Sequence, residues 1–281
     1  MIKSKLSKYL TGRHFAYVIL GAMLIFNLIP FFWMISTSFK TLAESYQSPP
    51  TVWPHSPTIN AYSKVLIYGN FPIYFFNSTV ISLSSALFSS LIGSLAAYGF
   101  SRFFFKGRYF LMGAILASQL LPGVLLVGPY FKMLAAVGLY DTRVGLIIAF
   151  TTITLPFSTW MLKGFMDGVP KELDQAAMVD GCSRFGAFSR VVFPVIAPGM
   201  VATIIFAFLL AWGDLLWCLS LTTSKEIATV TLGLSRLVGQ FRTEWPQLMA
   251  GSVLAALPPI ALYLLLQRHL IKGLTAGAVK E

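Results

Sequence analysis

Six long apolar runs divide the chain: Phe15 to Ser36, Phe75 to Phe100, Phe110 to Tyr130, Val144 to Phe165, Val195 to Leu221 and Leu248 to Gln267. Each approaches the roughly 20 mostly apolar residues that a helix needs to cross a bilayer. The polar positions fall between the runs, so the pattern predicts six membrane-spanning helices joined by loops. One polar interval differs from the others. Val169 to Pro194, VPKELDQAAMVDGCSRFGAFSRVVFP, is compact and holds acids, alanines and glycines. Pro170 suits a first helical turn, and Glu172 and Asp174 suit its positive end. A helix is therefore expected from Lys171 to Asp180. Gly181 supplies a left-handed stop, and Ser183 caps a second short helix that ends before Pro194. Its apolar stripe of Leu173, Ala176, Ala177 and Val179 is too slight for a domain core. The segment is expected to lie outside the lipid, as a docking element with small alanines suited to a partner's groove.

Composition agrees with a membrane protein. Hydrophobic residues make up 56% and charged residues 11%, against about 25% charged in a soluble domain. Mean hydropathy is +0.74. The net charge of +11 does not indicate nucleic acid, because the cations sit in short loops without forming a patch with interleaved aromatics. Their distribution fixes an orientation instead. Fourteen of the 21 Lys and Arg lie on one side of the predicted spans, including Arg102, Lys106 and Arg108 in one short loop. That side is expected to be cytoplasmic, with both termini and the polar segment. The basic start is expected to lead into a retained first span, with no A-x-A-like cleavage site after it.

Within the second run, Ser85, Ser89, Gly93 and Ala97 recur every fourth residue, as do Ser82, Ala86, Ser90 and Ser94. Such stripes let helices approach closely in lipid, and helix packing is the expected role. Pro122, Pro129, Pro156, Pro258 and Pro259 interrupt the spans and suggest bent helices around a pathway. Asp214 is the acid well inside an apolar run, between Trp212 and Trp217. It is either an interfacial cap or part of a substrate path. Asn77-Ser78-Thr79 is taken as a chance sequon. Cys182 and Cys218 imply no disulfide framework, and the three histidines are scattered. The chain has no P-loop and not one Gly-Lys dipeptide, so it does not bind ATP in that way. No metalloprotease or hydrolase motif occurs, and a non-catalytic protein without a metal is expected.

The polar segment also resembles a known family. Gln175-Ala176-Ala177, three residues, Gly181, nine residues, then Val191, Val192, Phe193 and Pro194 resembles the EAA motif of ABC-importer permeases, E-A-A, x3, G, x9, I-x-L-P. The flanks Val169 to Leu173 and Ala197-Pro198-Gly199, and the tail Gly273 to Lys280, resemble the carbohydrate branch, specifically its second, maltose-permease-like subunit. The resemblance implies an all-α type I importer fold: a cytoplasmic amino end at 1–14, a six-span domain at 15–270 with a coupling segment at 169–194, and a cytoplasmic tail at 271–281. It implies an inner-membrane subunit, bacterial or archaeal, of a sugar importer, surrounded by lipid. Its partners would be a second permease, an ATPase dimer that binds ATP and Mg, and an extracytoplasmic sugar-binding protein. ATPase coupling would fall to Glu172, Leu173, Asp174, Gln175, Ala176, Ala177, Asp180, Gly181 and Phe185. Substrate path or binding-protein contact would fall to Trp212, Asp214, Gln240, Phe241 and Trp245. The proline-rich first outer loop, with Trp53, would share the binding-protein role. Three departures stand out: Gln175 replaces the family's glutamate, Val191 and Phe193 replace isoleucine and leucine, and Gly213 precedes Asp214 where many relatives carry asparagine. Should the family's glutamate pair with the ATPase, Asp174 or Glu172 would substitute. The rival readings are a self-sufficient secondary transporter or channel, which would need several buried charges, and an intramembrane enzyme, which would need clustered His, Ser or acids within the spans.

Overall fold

A computed structural model of the chain describes residues 2–239 and 241–276. They are mostly helical, with no strand among them beyond a single bridge between Val238 and Thr243. The principal helices are α1 (Ile2–Ser38), α2 (Phe71–Arg102), α3 (Arg108–Ala117), α4 (Gly123–Ala136), α5 (Arg143–Asp167), α6 (Lys171–Val179), α7 (Arg184–Ala187), α8 (Ala197–Gly213), α9 (Leu216–Leu221), α10 (Val230–Ser235) and α11 (Trp245–Ala276). Among the described residues, four stretches are long and apolar enough to cross a membrane singly: Phe15–Ser38, Phe71–Arg102, Arg143–Asp167 and Trp245–Gln267. Two bent pairs bring the number to six if each counts as one span.

The bent pairs correct two of the expected spans. The third is not one rod from Phe110 to Tyr130. It runs from Arg108 to Leu120, bends by 100° and resumes at Gly123. Pro122 is the cause. A proline drives the residue before it out of the helical region, and Leu121 is extended at φ −70°, ψ 127°. The fifth span starts at Ala197, two residues later than expected, after a 76° bend from the piece that ends at Val195. That preceding piece continues through Pro194 instead of stopping before it, because proline is accepted in a first helical turn. Pro156, Pro258 and Pro259 lie inside helices that continue through them.

The chain forms two compact units. The first comprises Met1–Gly69 and Arg236–Leu254. Its α1 leaves the apolar window within Phe15–Ser38 uncovered, a surface suited to lipid or another subunit. The loop after α1 is held by polar anchors. Lys40 is buried, donates to the Thr51 carbonyl and lies 4.5 Å from the centre of the Trp33 ring. Glu44 accepts from the His55 amide at 2.8 Å and from the Thr51 hydroxyl at 3.0 Å. The His55 amide chiefly holds its carboxyl below the usual range.

The second unit comprises Asn70–Ser235 and Ala255–Glu281. Its centre is the packing of α2 on α5. Both small-residue stripes of α2 are buried, as helix packing requires. At Gly93 an added Cβ would stand 3.1 Å from Ser158 Cβ and 3.2 Å from the Thr159 nitrogen, so the two backbones meet where side-chain volume is least. Ser85, Ser89 and Ser94 return their hydroxyls to their own helix, at Ile81, Ala86 and Leu91, whereas the buried hydroxyls of Ser82 and Ser90 have no hydrogen-bond partner. Asn77 is fully buried. Its amide donates to the carbonyls of Glu226 and Ala228 at 2.8 Å, and its oxygen accepts from Arg143 Nε at 2.7 Å. The sequon is therefore a structural clasp between the start of α2 and the loop before α10.

Candidate functional site: the polar segment

The polar segment folds as a helix, a turn and a second helical piece. Helix α6 ends with Asp180 as its cap. Gly181 then adopts φ +86°, where an L side chain is strained. The Cys182 amide bonds back to the Ala177 carbonyl, which closes the turn. Ser183 caps the next piece by accepting from the Gly186 amide at 3.1 Å. From Phe188 to Val192 the helix widens into a π-type turn, and it runs on to Val195.

This segment rests on a buried apolar cluster. Ala97 of α2, Leu162 and Met166 of α5, Val169, Phe188, Val192, Ile196 and Met200 pack together, with Tyr98, Phe165 and Phe193 against them. Tyr98 and Phe188 have ring centres 5.0 Å apart. The ends of two spans, the segment and the start of α8 therefore share one core.

The underside of α6 carries an acid. Asp174 and Ala177 are its buried residues. Asp174 Oδ2 lies 2.7 Å from Arg102 Nε, both side chains 7% exposed. The contact is ionic, without the alignment of a hydrogen bond. Tyr98 Oη donates to the other carboxylate oxygen at 3.0 Å. Arg102 also donates to the carbonyls of Met166 and Val169, at 3.2 and 3.0 Å. These lie at and just beyond the end of α5, where carbonyls lack partners within the helix. Next to it, Ser101 donates to Asp167 at 2.7 Å. One guanidinium thus joins the end of α2, the end of α5 and α6.

The outer face of α6 is bare. Glu172, Leu173, Gln175, Ala176, Val179 and Asp180 are exposed, and so are Gly181 and Phe185 beyond it. Val179 is 86% and Phe185 68% exposed. The usual amphipathic arrangement is inverted: the acid faces the bundle and most of the apolar stripe faces out. Of that stripe, only Ala177 turns inward. Asp174 is engaged by Arg102, which leaves Glu172 and Gln175 as the outward polar groups near the motif's first position. Arg102 was visible in the sequence only as one of the orienting cations. Its signal as a site residue is its place at the last position of a span, where a cation meets helix-terminal carbonyls.

Trp212 is buried, stacked on Phe208 at 5.4 Å, and donates to the Ala255 carbonyl at 3.1 Å. Asp214 sits in the break after α8 and accepts from the Trp217 amide at 2.8 Å, so it caps α9. Thr231 donates to the Asp214 carbonyl at 2.6 Å. Phe241 is 96% exposed and Trp245 partly so. Phe241 lies between the bridged residues Val238 and Thr243 and Trp245 just after them, and Tyr46 donates to the Thr243 carbonyl at 2.8 Å. Gln240 lies outside the described residues.

Comparison with known proteins follows the same architecture. The family described as binding-protein-dependent transport system inner membrane component matches residues 89–276. The chain is 34% identical over 275 residues to the sulfoquinovosyl glycerol transport system permease protein SmoH of Agrobacterium fabrum, covering 98% of this chain and 96% of the relative. It is 37% identical over 263 residues to the inner membrane ABC transporter permease protein YcjP of Escherichia coli, covering 93% and 94%. It is 35% identical over 268 residues to the trehalose/maltose transport system permease protein MalG of Thermococcus litoralis, covering 94% and 96%. Among solved structures, a bacterial ABC transporter involved in the import of the acidic polysaccharide alginate superposes with a TM-score of 0.78. That match covers 93% of this chain and 97% of the other at 19% identity, and concerns the fold.

Proposed function

Because the chain belongs to the family of binding-protein-dependent transport system inner membrane components, we infer that it is a permease subunit of an ATP-driven importer for a sugar or oligosaccharide. Relatives named for sulfoquinovosyl glycerol, for trehalose and maltose, and for diacetylchitobiose support the substrate class. The chain forms half of a pathway completed by a second permease. An ATPase dimer that binds ATP and Mg docks on the cytoplasmic side, and an extracytoplasmic binding protein delivers the sugar. Both termini face the cytoplasm. The likeness to an alginate transporter solved with a saccharide-bound periplasmic protein supports the last partner.

The observation that carries this reading is the two-faced coupling segment. Its inner face is fixed to α2 and α5 through Arg102, Asp174 and the apolar cluster. Its outer face leaves Leu173, Val179 and Phe185 exposed, with only the Phe185 ring near Phe188 of the cluster, at 6.2 Å between ring centres. A rigid element with one anchored and one vacant face suits the transfer of a partner's movement to the spans. ATPase closure would push α6, and Arg102 would pass the displacement to two spans at once. On the outside, Phe241 and Trp245 offer aromatic surface for the binding protein, and Asp214 holds the break in the fifth span.

The test is uptake by vesicles carrying the whole complex. Sugar should enter only with ATP and the binding protein present. Uptake driven by an ion gradient without ATP would establish the self-sufficient transporter instead. Gln175→Glu should leave uptake within about fivefold of the parent, because an exposed charge pair is worth about 1 kcal/mol or less. A loss of ATPase from the purified Gln175→Glu complex would show a partner groove of altered charge.

A further inference from the structure

Beside the coupling segment, a cavity of about 810 Å³ opens among α3, α5 and the start of α8. Met112, Leu116, Phe157, Trp160 and Met161 make its wall apolar. Three charged side chains line it: Arg108, Lys163 and Asp167. Two of them neutralise each other, since Lys163 Nζ lies 2.5 Å from Asp167 Oδ2 and Asp167 also accepts from Ser101. Arg108 is left over. Its Nη2 donates to Tyr109 Oη at 3.1 Å. Its Nε and Nη1 are buried with no hydrogen-bond partner, and among the described residues it pairs with no carboxylate. The guanidinium lies 4.7 Å from the centres of both the Phe104 and Tyr109 rings.

Buried guanidinium donors without an acceptor are costly. Their geometry matches an oxyanion, and phosphate above all. The surroundings say where that phosphate comes from. Phe104, Tyr109 and Phe110 are 79%, 76% and 81% exposed, and with Lys106 they form the aromatic and basic composition of a membrane–water interface. An apolar cavity behind an interfacial cation fits an acyl chain below a phosphate. We propose that Arg108 and this cavity bind an anionic phospholipid of the cytoplasmic leaflet, headgroup phosphate on the guanidinium and acyl chain against Met112, Phe157 and Trp160. The proposal rests on the orientation given above, which places this end of the spans at the cytoplasm. The lipid would occupy the space next to the core that carries the coupling segment, and so bear on transport.

Two variants probe the site from its two ends. Arg108→Gln removes the charge. Gly164→Phe fills the cavity while leaving Arg108 in place, since a Cβ at Gly164 meets nothing within 4 Å. The purified whole transporter, stripped of lipid in detergent, is titrated with phosphatidylglycerol, phosphatidylcholine and inorganic phosphate, and bound molecules are counted by native mass spectrometry. The parent should retain a phosphatidylglycerol that phosphatidylcholine does not replace, and each variant should weaken it by about tenfold or more. Equal binding of the two lipids, or parent affinity in both variants, would overturn the site. Inorganic phosphate that competes as well as the lipid would make it a free-anion site. Arg108→Gln that sheds the second permease with the lipid count unchanged would give the guanidinium to a protein carboxylate. Co-elution of the ATPase and second permease tests the importer reading separately from every one of these outcomes.

Discussion

Arg102→Ala is expected to reduce ATP-driven uptake by about a hundredfold or more while the chain still inserts in the membrane. Removing one member of a buried ion pair costs about 3–5 kcal/mol, because the other charge is left uncompensated. Here the loss is concentrated at one junction. Asp174 would keep only Tyr98 as a side-chain partner, the Val169 carbonyl would lose its guanidinium donor, and the Met166 carbonyl would be left with backbone amides alone. The α6 helix would then be held to the bundle mainly by Ala177 and the apolar cluster through Phe188 and Val192. A loosened α6 still meets the ATPase but no longer moves α2 and α5 with it. ATP hydrolysis by the purified complex should therefore continue without stimulation by the sugar-loaded binding protein. Asp174→Ala should give the same uncoupled signature, since it breaks the same pair from the other side. Parent-level stimulation in either variant would remove Arg102 from the coupling account.

The second large effect is expected on the opposite face. Val179→Asp combined with Phe185→Asp should strip the ATPase from the purified complex. Both side chains are exposed in this chain, so neither substitution opens a cavity in its core. Burying side chains of this kind contributes about 1.5–3 kcal/mol each. The pair thus accounts for a loss of roughly a hundredfold or more in affinity, before the cost of placing two carboxylates against an apolar groove. The second permease should remain, because the substitutions lie on the coupling segment's outer face. Recovery of the ATPase in parent amount would show that the vacant face is not its seat.

The fold of the polar segment was legible in the sequence because its signals are local. Pro170, the early acids, Gly181 and Ser183 each act within a turn of where they stand, and the structure places the helix, the positive-φ glycine and the cap accordingly. The small-residue stripes of α2 were legible for the same reason: period four names a face. The direction in which α6 presents its faces was not legible. The inward turn of Asp174 depends on Arg102, which arrives from the end of a distant span, and hydrophobic pattern alone assigns an acid to the outside. The prolines were legible as interruptions and as sites of bending, but not which of them would bend. Pro122 breaks its span, whereas Pro156, Pro258 and Pro259 do not, and neighbouring helices decide which freed carbonyls are tolerated. Asn77 carried only the appearance of a sequon, since its partners Arg143, Glu226 and Ala228 lie far along the chain.

The most direct measurement is to purify the tagged chain from its native membrane in mild detergent and identify the proteins that elute with it. Elution with a P-loop ATPase and a second six-span permease is the result expected of a subunit whose coupling segment has one anchored face and one vacant face. Elution alone, as a homo-oligomer without an ATPase, would contradict it and leave a transporter that works by itself.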